Sequence, residues 1–165
     1  MARIHLFAHM DRNLVKKGDR VVKHVTPIGT IGTGNGQYYA HLHFSISEGL
    51  TPAQLKAYQV KDLAFVKKHY IDPRKVDFEA MFGKKVDVGN FGYDWLQKID
   101  TGGYHPGVDV NGLGGGNSDI GMPFKSSCNG VVIDEWRGWT KNGGWGNWIL
   151  VEEEEECKHC PIHCI

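Results

Sequence analysis

Residues 40–46 have the sequence AHLHFSI, which places two histidines two positions apart. Successive side chains of a β-strand point to opposite faces, so the apolar residues at positions 40, 42, 44 and 46 would share one face. His41, His43 and Ser45 would then point together to the other face, where two imidazoles can serve one metal ion. The plainer interpretation is a strand with two surface histidines.

The segment HPGVDV, which begins at His105, offers a second set of metal-binding groups. If it is extended, His105, Gly107 and Asp109 lie on one face, with Val108 and Val110 in the core. Imidazole and carboxylate are good zinc ligands, and Gly107 would leave room for an ion or a substrate. The alternative is a turn with a solvated aspartate.

His9, in the segment FAHMD, is a third candidate, although a lone strand histidine more often serves packing than catalysis. A zinc site with three protein ligands keeps one position open, as catalytic sites do, whereas a structural site fills all four. Histidines that do not bind the metal could then act on water and on a developing oxyanion. The sequence contains no His-Glu-x-x-His segment, so the glutamate base of many metalloproteases is missing.

Cysteines and histidines also cluster near the C-terminus. This group consists of Cys157, His159, Cys160, His163 and Cys164. Its composition suits a second metal site, but a structural zinc usually joins distant segments, so a solvated hairpin tip or reactive thiols are the favoured interpretations. The fourth cysteine, Cys128, precedes a predicted strand, and we expect it to be a small core residue.

Short apolar runs between glycine-rich turns predict a mostly antiparallel β protein. We predict strands at residues 4–9, 39–46, 131–133 and 148–151, the first of them half-buried. Thr51 and Gln54 predict a helix start with a capping box, and a helical insertion then continues to Tyr70. A short helix is expected at residues 78–82, and residues 112–117 (GLGGGN) should form a flexible loop.

Length and charge limit the classes of function. The 165 residues suit one domain, and 19 basic residues balance 19 acidic ones. We therefore expect neither nucleic acid nor an anionic membrane as the main partner. No stretch is long enough to span a bilayer, and the first residues lack the apolar core of a signal peptide.

The histidine motifs resemble those of the lysostaphin-type zinc endopeptidases, which cut the peptide part of bacterial peptidoglycan. In that family a His-x3-Asp element supplies two zinc ligands, matched here by His105 and Asp109. The second histidine of a His-x-His element supplies the third ligand, matched by His43. The resemblance assigns catalysis to the first histidine of that pair, His41, and to an earlier one in a Tyr-Ala-His-like strand, His9.

Further segments resemble conserved blocks of that family and cover most of the chain outside the insertion at residues 51–69 and the tail at 157–165. They are HPGVDVNG, GMPFKSSCNGVV, GGWGNWILVE, LFAHMDRNLVKKGDRV, PIGTIGTGNG and AHLHFSI. Their order is rotated relative to the family. Family members have the His-x3-Asp block first and the His-x-His block last, whereas here the His-x3-Asp block follows the His-x-His block.

The rotated order predicts a circularly permuted single domain. Residues 86–156 would correspond to the N-terminal half of the family domain and residues 1–82 to its C-terminal half. The cut would fall in a β-hairpin, so residues 148–152 and 3–9 should be antiparallel neighbours.

The resemblance implies an antiparallel β-sheet domain with a metal groove and a zinc metalloendopeptidase activity on cross-bridge or stem peptides. His41 or His9 would take a proton from water activated by zinc, and the other would stabilise the oxyanion. The loop at residues 113–118, and one or two of Trp136, Trp139, Trp145 and Trp148, would line a groove for an extended peptide.

We expect a monomer that binds peptidoglycan peptides, located outside the cell, at the cell wall or in a phage particle. Three alternatives remain. One is a catalytically idle member that binds peptidoglycan or a partner protein. Another is a zinc amidase or carboxypeptidase on the same polymer. The last is a non-enzymatic metal-binding module centred on the cysteine tail.

Overall fold

The computed structural model describes residues 1–56, 60–100, 102–138 and 145–154. The strands in this part of the chain are β1 (Arg3–Asn13), β2 (Arg20–Val21), β3 (Pro27–Ile31), β4 (Leu42–Glu48), β5 (Tyr70–Ile71), β6 (Asp87–Val88), β7 (Lys98–Ile99), β8 (Gly103–Tyr104), β9 (Val108–Asn111), β10 (Pro123–Lys125), β11 (Gly130–Trp136) and β12 (Asn147–Glu153). The helices are α1 (Pro52–Lys56), α2 (Leu63–His69) and α3 (Phe78–Phe82), and a 3-10 helix spans Pro73–Lys75. Mostly antiparallel β-structure is therefore confirmed.

Ten of the strands form one sheet, with the order β2-β11-β12-β1-β4-β9-β6 along its main path. β3 pairs with β1 and β10, β5 pairs with β4, and β7 and β8 form a separate hairpin. All of these pairings are antiparallel. The predicted pairing of residues 3–9 with 148–152 is confirmed, since Ile4 lies opposite Glu152 and Phe7 opposite Ile149.

The central strand β1 is buried on both faces. Phe7 belongs to one core, which we call the distal core and which also contains Phe44, Phe124 and Ile149. Leu6 belongs to a second cluster on the opposite face. The prediction of a half-buried first strand is therefore wrong in its burial, because a core cluster covers each face of β1.

The second cluster, which we call the site-side core, is covered by the helical insertion. It includes Leu6, Ala8, Leu55, Val66, Tyr70, Trp148 and Leu150. The predicted capping box begins α1, because the backbone N–H of Thr51 donates to Gln54 Oε1 at 2.9 Å and that of Gln54 donates to Thr51 Oγ1 at 3.3 Å. These helices have a short apolar face each, so burial against the sheet rather than helix propensity stabilises them.

The predicted and observed boundaries agree closely at several elements. α3 spans residues 78–82 as predicted, and residues 112–117 form no strand or helix. The predicted strand at 39–46 instead begins at Leu42 and ends at Glu48. His41 precedes it in an isolated bridge to Gly32. In the described ranges, we find no helix with the length and hydrophobicity needed to cross a membrane.

Tyr70 on β5 gives a test of this packing in alkali. Burial raises the pKa of its phenol from 10.0 to about 12. The folded protein therefore keeps a proton that the unfolded chain loses, and stability falls as the pH rises from about 10 towards 12. In the wild type, the free energy of unfolding should fall by about 1 kcal/mol between roughly pH 9 and 11 through this residue. A Tyr70→Phe variant should lack this part of the decrease. Urea unfolding of both proteins at these pH values measures the difference, and equal slopes would contradict it.

Candidate metal centre

Three buried side chains converge on the face of the sheet that carries the site-side core. His43, His105 and Asp109 are 2%, 3% and 4% exposed, and together they could hold a metal ion. His43 Nδ1 lies 2.8 Å from His105 Nε2 and 3.5 Å from Asp109 Oδ1, and His105 Nε2 lies 3.2 Å from the same oxygen. The sequence prediction that these residues come together is confirmed.

These separations are those of donor atoms around one small cation. Nitrogen and oxygen atoms bound at about 2.0–2.1 Å to a tetrahedral zinc lie roughly 3.3 Å from each other. Asp109 Oδ1 and His43 Nε2 are buried and lack a hydrogen-bond partner among the described residues. An unpaired buried carboxylate oxygen is costly, and a cation between the three groups would compensate it.

Strand register places two of the ligands side by side. His43 on β4 lies directly opposite Asp109 on β9. Directly opposite residues of an antiparallel pair have neighbouring Cβ atoms, so a carboxylate and an imidazole meet here without any loop. The apolar neighbours Phe44, Val108 and Val110 point to the distal core, as the alternation in the sequence predicted.

The segment after β6 fixes the carboxylate of Asp109. The backbone N–H of Tyr93 donates to Asp109 Oδ2 at 2.8 Å, which leaves Oδ1 directed at the two ring nitrogens. Gly92 is required at this point, because a Cβ there would lie 2.5 Å from Asp109 Cβ and 2.7 Å from Oδ2. Asp87 in turn orders the segment by accepting the backbone N–H groups of Asn90 and Phe91.

Burial alone would raise the pKa of Asp109, but the adjacent imidazoles of His105 and His43 outweigh it and hold that pKa well below its usual value. Burial lowers the pKa of His43 to about 4, although the nearby carboxylate of Asp109 acts in the opposite direction. At neutral pH Asp109 is therefore ionised and His43 is neutral. These are the protonation states in which carboxylate and imidazole bind a metal.

The backbone contacts of His105 set its tautomer. His105 Nδ1 lies 3.3 Å from the carbonyl oxygen of Asp94, which can only accept a hydrogen bond. The Nδ1 atom therefore carries the proton, and Nε2 keeps its lone pair for a metal. The helical insertion supports the backbone just before His105, since the backbone N–H of Tyr104 donates to the carbonyl of Val60 at 2.9 Å.

Gly107 has a different role from the predicted one. Its missing side chain leaves no space for an ion, because a Cβ at this position would clash with the backbone carbonyl of Phe44 and lie 2.9 Å from Ser45 Cβ. The glycine lets the chain between His105 and Asp109 cross closely over β4. Close approach of two backbones is a common reason for glycine in β-structure.

His41 lies beside the three ligands and is partly exposed. Its Nδ1 lies 2.8 Å from the carbonyl oxygen of Tyr39, so Nδ1 is the protonated nitrogen of the neutral ring. Its Nε2 lies 3.9 Å from Asp109 Oδ1, on the side of the ligands. His41 therefore directs a lone pair towards the place where a metal and its substrate would meet.

His9 reaches the same place through a β-bulge. Phe7 pairs with Ile149 and Met10 with Asn147, so two residues of β1 lie opposite one residue of β12. His9 has a φ of 62°, a left-handed conformation that is unusual for a residue other than glycine. Both Phe7 and Met10 point into the distal core, so the extra residue turns the His9 ring to the site face.

The imidazole of His9 is packed among other rings. Its centroid lies 4.8 Å from that of His41, 5.9 Å from that of His43 and 4.8 Å from that of Tyr38. Burial and the neighbouring His41 and His43 hold its pKa well below the usual value. His9 is therefore a neutral ring at neutral pH.

Among the described tryptophans that the sequence analysis named, Trp145 lies at this site. Its ring stacks on His9 at 5.9 Å and meets His43 edge-on at 5.0 Å, and its carbonyl accepts the backbone N–H of His9. Trp148 lies in the site-side core, Trp136 is 40% exposed, and Trp139 lies outside the described residues.

Two asparagines that the sequence did not single out fix the segment before His41. Asn117 Oδ1 accepts the backbone N–H of Ala40 at 2.9 Å, and Asn111 Nδ2 donates to the carbonyl of Ala40 at 2.8 Å. The glycine-rich loop at 113–118, predicted as a groove wall, is thereby tied to this segment. Neither asparagine has a local sequence signal for this contact, because its partner lies more than 70 positions away.

The cysteine and histidine group near the C-terminus, one interpretation of which was a second metal site, lies outside the described residues. It consists of Cys157, His159, Cys160, His163 and Cys164. Cys128 is buried in the distal core, as predicted, and burial raises the pKa of its thiol to about 12. It is therefore not a reactive thiolate.

Gly92→Ala should loosen the metal centre without touching a ligand. The added methyl group would displace the Asp109 carboxylate, and metal affinity should fall by roughly ten- to a hundredfold, as for other changes that misplace a ligand. Calorimetric titration of the metal-free protein with Zn²⁺ measures this. Gly116→Asn is the matched control, because Gly116 has nothing near its Cβ position and its φ of 55° suits asparagine. Equal affinities of Gly92→Ala and wild type would contradict the assigned role.

Comparison of the chain with protein-family models, with curated proteins and with solved structures finds no match.

Proposed function

We propose that this protein is a zinc metalloendopeptidase of the lysostaphin type that hydrolyses peptide bonds of bacterial peptidoglycan. The observation that carries the proposal is the buried group of His43, His105 and Asp109 with two further histidines, His9 and His41, beside it. Three ligands suit a catalytic metal, and two additional imidazoles suit proton transfer and oxyanion binding. The same five residues match the family motifs in the sequence.

The choice of zinc rests on the donor set and its spacing. Two imidazoles and one carboxylate at mutual distances of 2.8–3.5 Å fit a tetrahedral zinc with one position open. Two histidines and one carboxylate also bind non-haem iron, so metal analysis has to distinguish the two. Bound zinc supplies Lewis acidity, which polarises a carbonyl oxygen and makes water acidic enough to lose a proton near neutral pH.

We assign the base to His41. Its Nδ1 proton is held by the Tyr39 carbonyl, so its Nε2 atom is free to take the proton from the attacking water and later to protonate the leaving amine. This atom is on the ligand side of the ring, 3.9 Å from Asp109 Oδ1. The partial exposure of His41 lets a substrate approach it.

We assign oxyanion stabilisation to His9. Its neutral ring retains one N–H, which can donate to the carbonyl oxygen as negative charge develops there. The left-handed backbone and the contact with Trp145 hold the ring in a fixed orientation. A donor that is oriented before the reaction costs no reorganisation during it, which is the source of its effect on rate.

The pairing of β12 with β1 supports the permuted order of the family blocks. In the proposed permutation, these two strands form the hairpin whose connection was cut, and they are hydrogen-bonded antiparallel neighbours. Action on peptidoglycan further implies a location outside the cell, at the cell wall or in a phage particle. This substrate rests on the sequence blocks alone.

The assigned roles predict a separation of metal binding from catalysis. Asp109→Ala should lose both zinc and activity, because it removes a ligand and leaves two imidazoles. His41→Ala should keep zinc and lose roughly 10²- to 10⁴-fold in rate, the usual contribution of a general base. Metal content by mass spectrometry, covering zinc and iron, and lysis of purified peptidoglycan measure the two effects.

His69→Gln serves as the matched control, since His69 lies on α2 and contacts Phe65 rather than the metal-binding group. It should retain zinc and lytic activity. Product analysis should find new amino groups inside the cross-bridge or stem peptide. Release of a terminal residue or of sugar-linked peptide would instead indicate a carboxypeptidase or an amidase, and full lysis by Asp109→Ala would refute the mechanism.

A further inference from the structure

A small apolar cavity lies between α1 and the face of the sheet that carries the metal-binding group. The described residues that line it are Leu6, Leu55, Lys56, Trp145, Trp148 and Leu150. Its volume is about 20 Å³. By the same measure of volume, a cavity needs about 10–15 Å³ to hold one water molecule. The cavity therefore has room for a group about the size of a methyl.

The charge of Lys56 is paired with a carboxylate. Its Nζ atom pairs with Asp134 Oδ2 and lies 5.2 Å from the centre of the Trp148 ring. The methylene stem of the lysine is then left to cover apolar surface. The remaining lining side chains are leucines and tryptophans, so an apolar group would gain contacts that water could not make.

Trp145 connects the cavity with the metal centre. The residue lines the cavity, and its ring lies 5.0 Å from the ring of His43 and 5.9 Å from that of His9. The cavity and the metal-binding group are thus neighbours separated by one side chain. In an extended peptide, residues on the same side are about 6.6 Å apart, so a substrate cleaved at the metal can place a nearby side chain here.

We propose that this cavity is a specificity pocket that accepts one alanine-sized apolar side chain of the peptide substrate, within two residues of the cleaved bond. The proposal rests on the endopeptidase function above and adds the size and polarity of a substrate residue to it. Leu55 limits the size of the pocket from the side of α1. It belongs to the insertion at residues 51–69, which the family-like blocks do not cover, so this specificity is a property of this chain.

The experiment uses the zinc-loaded 165-residue protein and synthetic peptides that contain the bond found to be cut. Each position within two residues of that bond is occupied in turn by glycine, alanine or leucine. At one position, kcat/KM should be about fourfold higher for alanine than for glycine, the effect of burying one methyl group. Leucine at that position should be cleaved more slowly than alanine, because the pocket is full.

Leu55→Ala should enlarge the pocket and shift the leucine-to-alanine ratio of kcat/KM by roughly tenfold towards leucine at that position alone. Leu50→Ala is the matched control, because Leu50 is buried in the same core but does not line the cavity. It should leave the ratio unchanged. Zinc content and circular dichroism establish that both variants are loaded and folded.

The possible results distinguish failure of the pocket proposal from failure of the proposed endopeptidase function. Cleavage by the wild type with the same glycine, alanine and leucine rates at every position would overturn the pocket and leave the endopeptidase standing. The same conclusion follows if Leu55→Ala and Leu50→Ala change selectivity alike. Failure of the loaded wild type to cleave any peptide would overturn both proposals.

Discussion

Asp109 has a carboxylate that is 4% exposed, ionised and without a hydrogen-bond partner at Oδ1 among the described residues. A buried charge of this kind is tolerated only where the surrounding groups compensate it. His43 and His105 direct ring nitrogens at this oxygen, and the Tyr93 N–H occupies the other one. The segments that carry His43, His105 and Tyr93 are therefore arranged around the buried carboxylate of Asp109.

The sheet meets the requirement by placing ligands where two strands are in register. β4 and β9 contribute His43 and Asp109 to one face while their alternate residues fill the distal core. The candidate ligands are therefore carried by strands whose other face is buried in the core. The connecting segments approach the site closely at Gly92 and Gly107, where a side chain would clash with Asp109 and with the backbone of β4, respectively. Rigid placement on strands suits a site whose atoms must hold fixed separations.

The helical insertion contacts both the site-side core and the segment that carries His105. It covers the site-side core through Leu55 and Val66, and it supports the segment of His105 through the Val60 carbonyl. It also forms one wall of the cavity behind Trp145. The insertion thus contacts both the segment that carries His105 and the proposed substrate pocket.

The sequence by itself determined the types and the local order of the groups. Alternation in AHLHFSI placed Leu42 and Phe44 opposite His43, and the capping box at Thr51 defined the start of α1. The resemblance to the family blocks, rather than any local pattern, indicated that residues 3–9 and 148–152 pair as strands. Periodicity and capping act between residues a few positions apart, so they can be read without the fold.

Only the tertiary structure decided how the distant groups meet. The bulge that turns His9 towards His43, the Tyr39 contact that sets the tautomer of His41 and the crowding at Gly92 have no local signal. Burial of both faces of β1 was missed for the same reason, because it depends on the insertion that covers the second face. Such features arise from contacts between segments far apart in the chain, and a pattern of neighbouring residues contains no information about them.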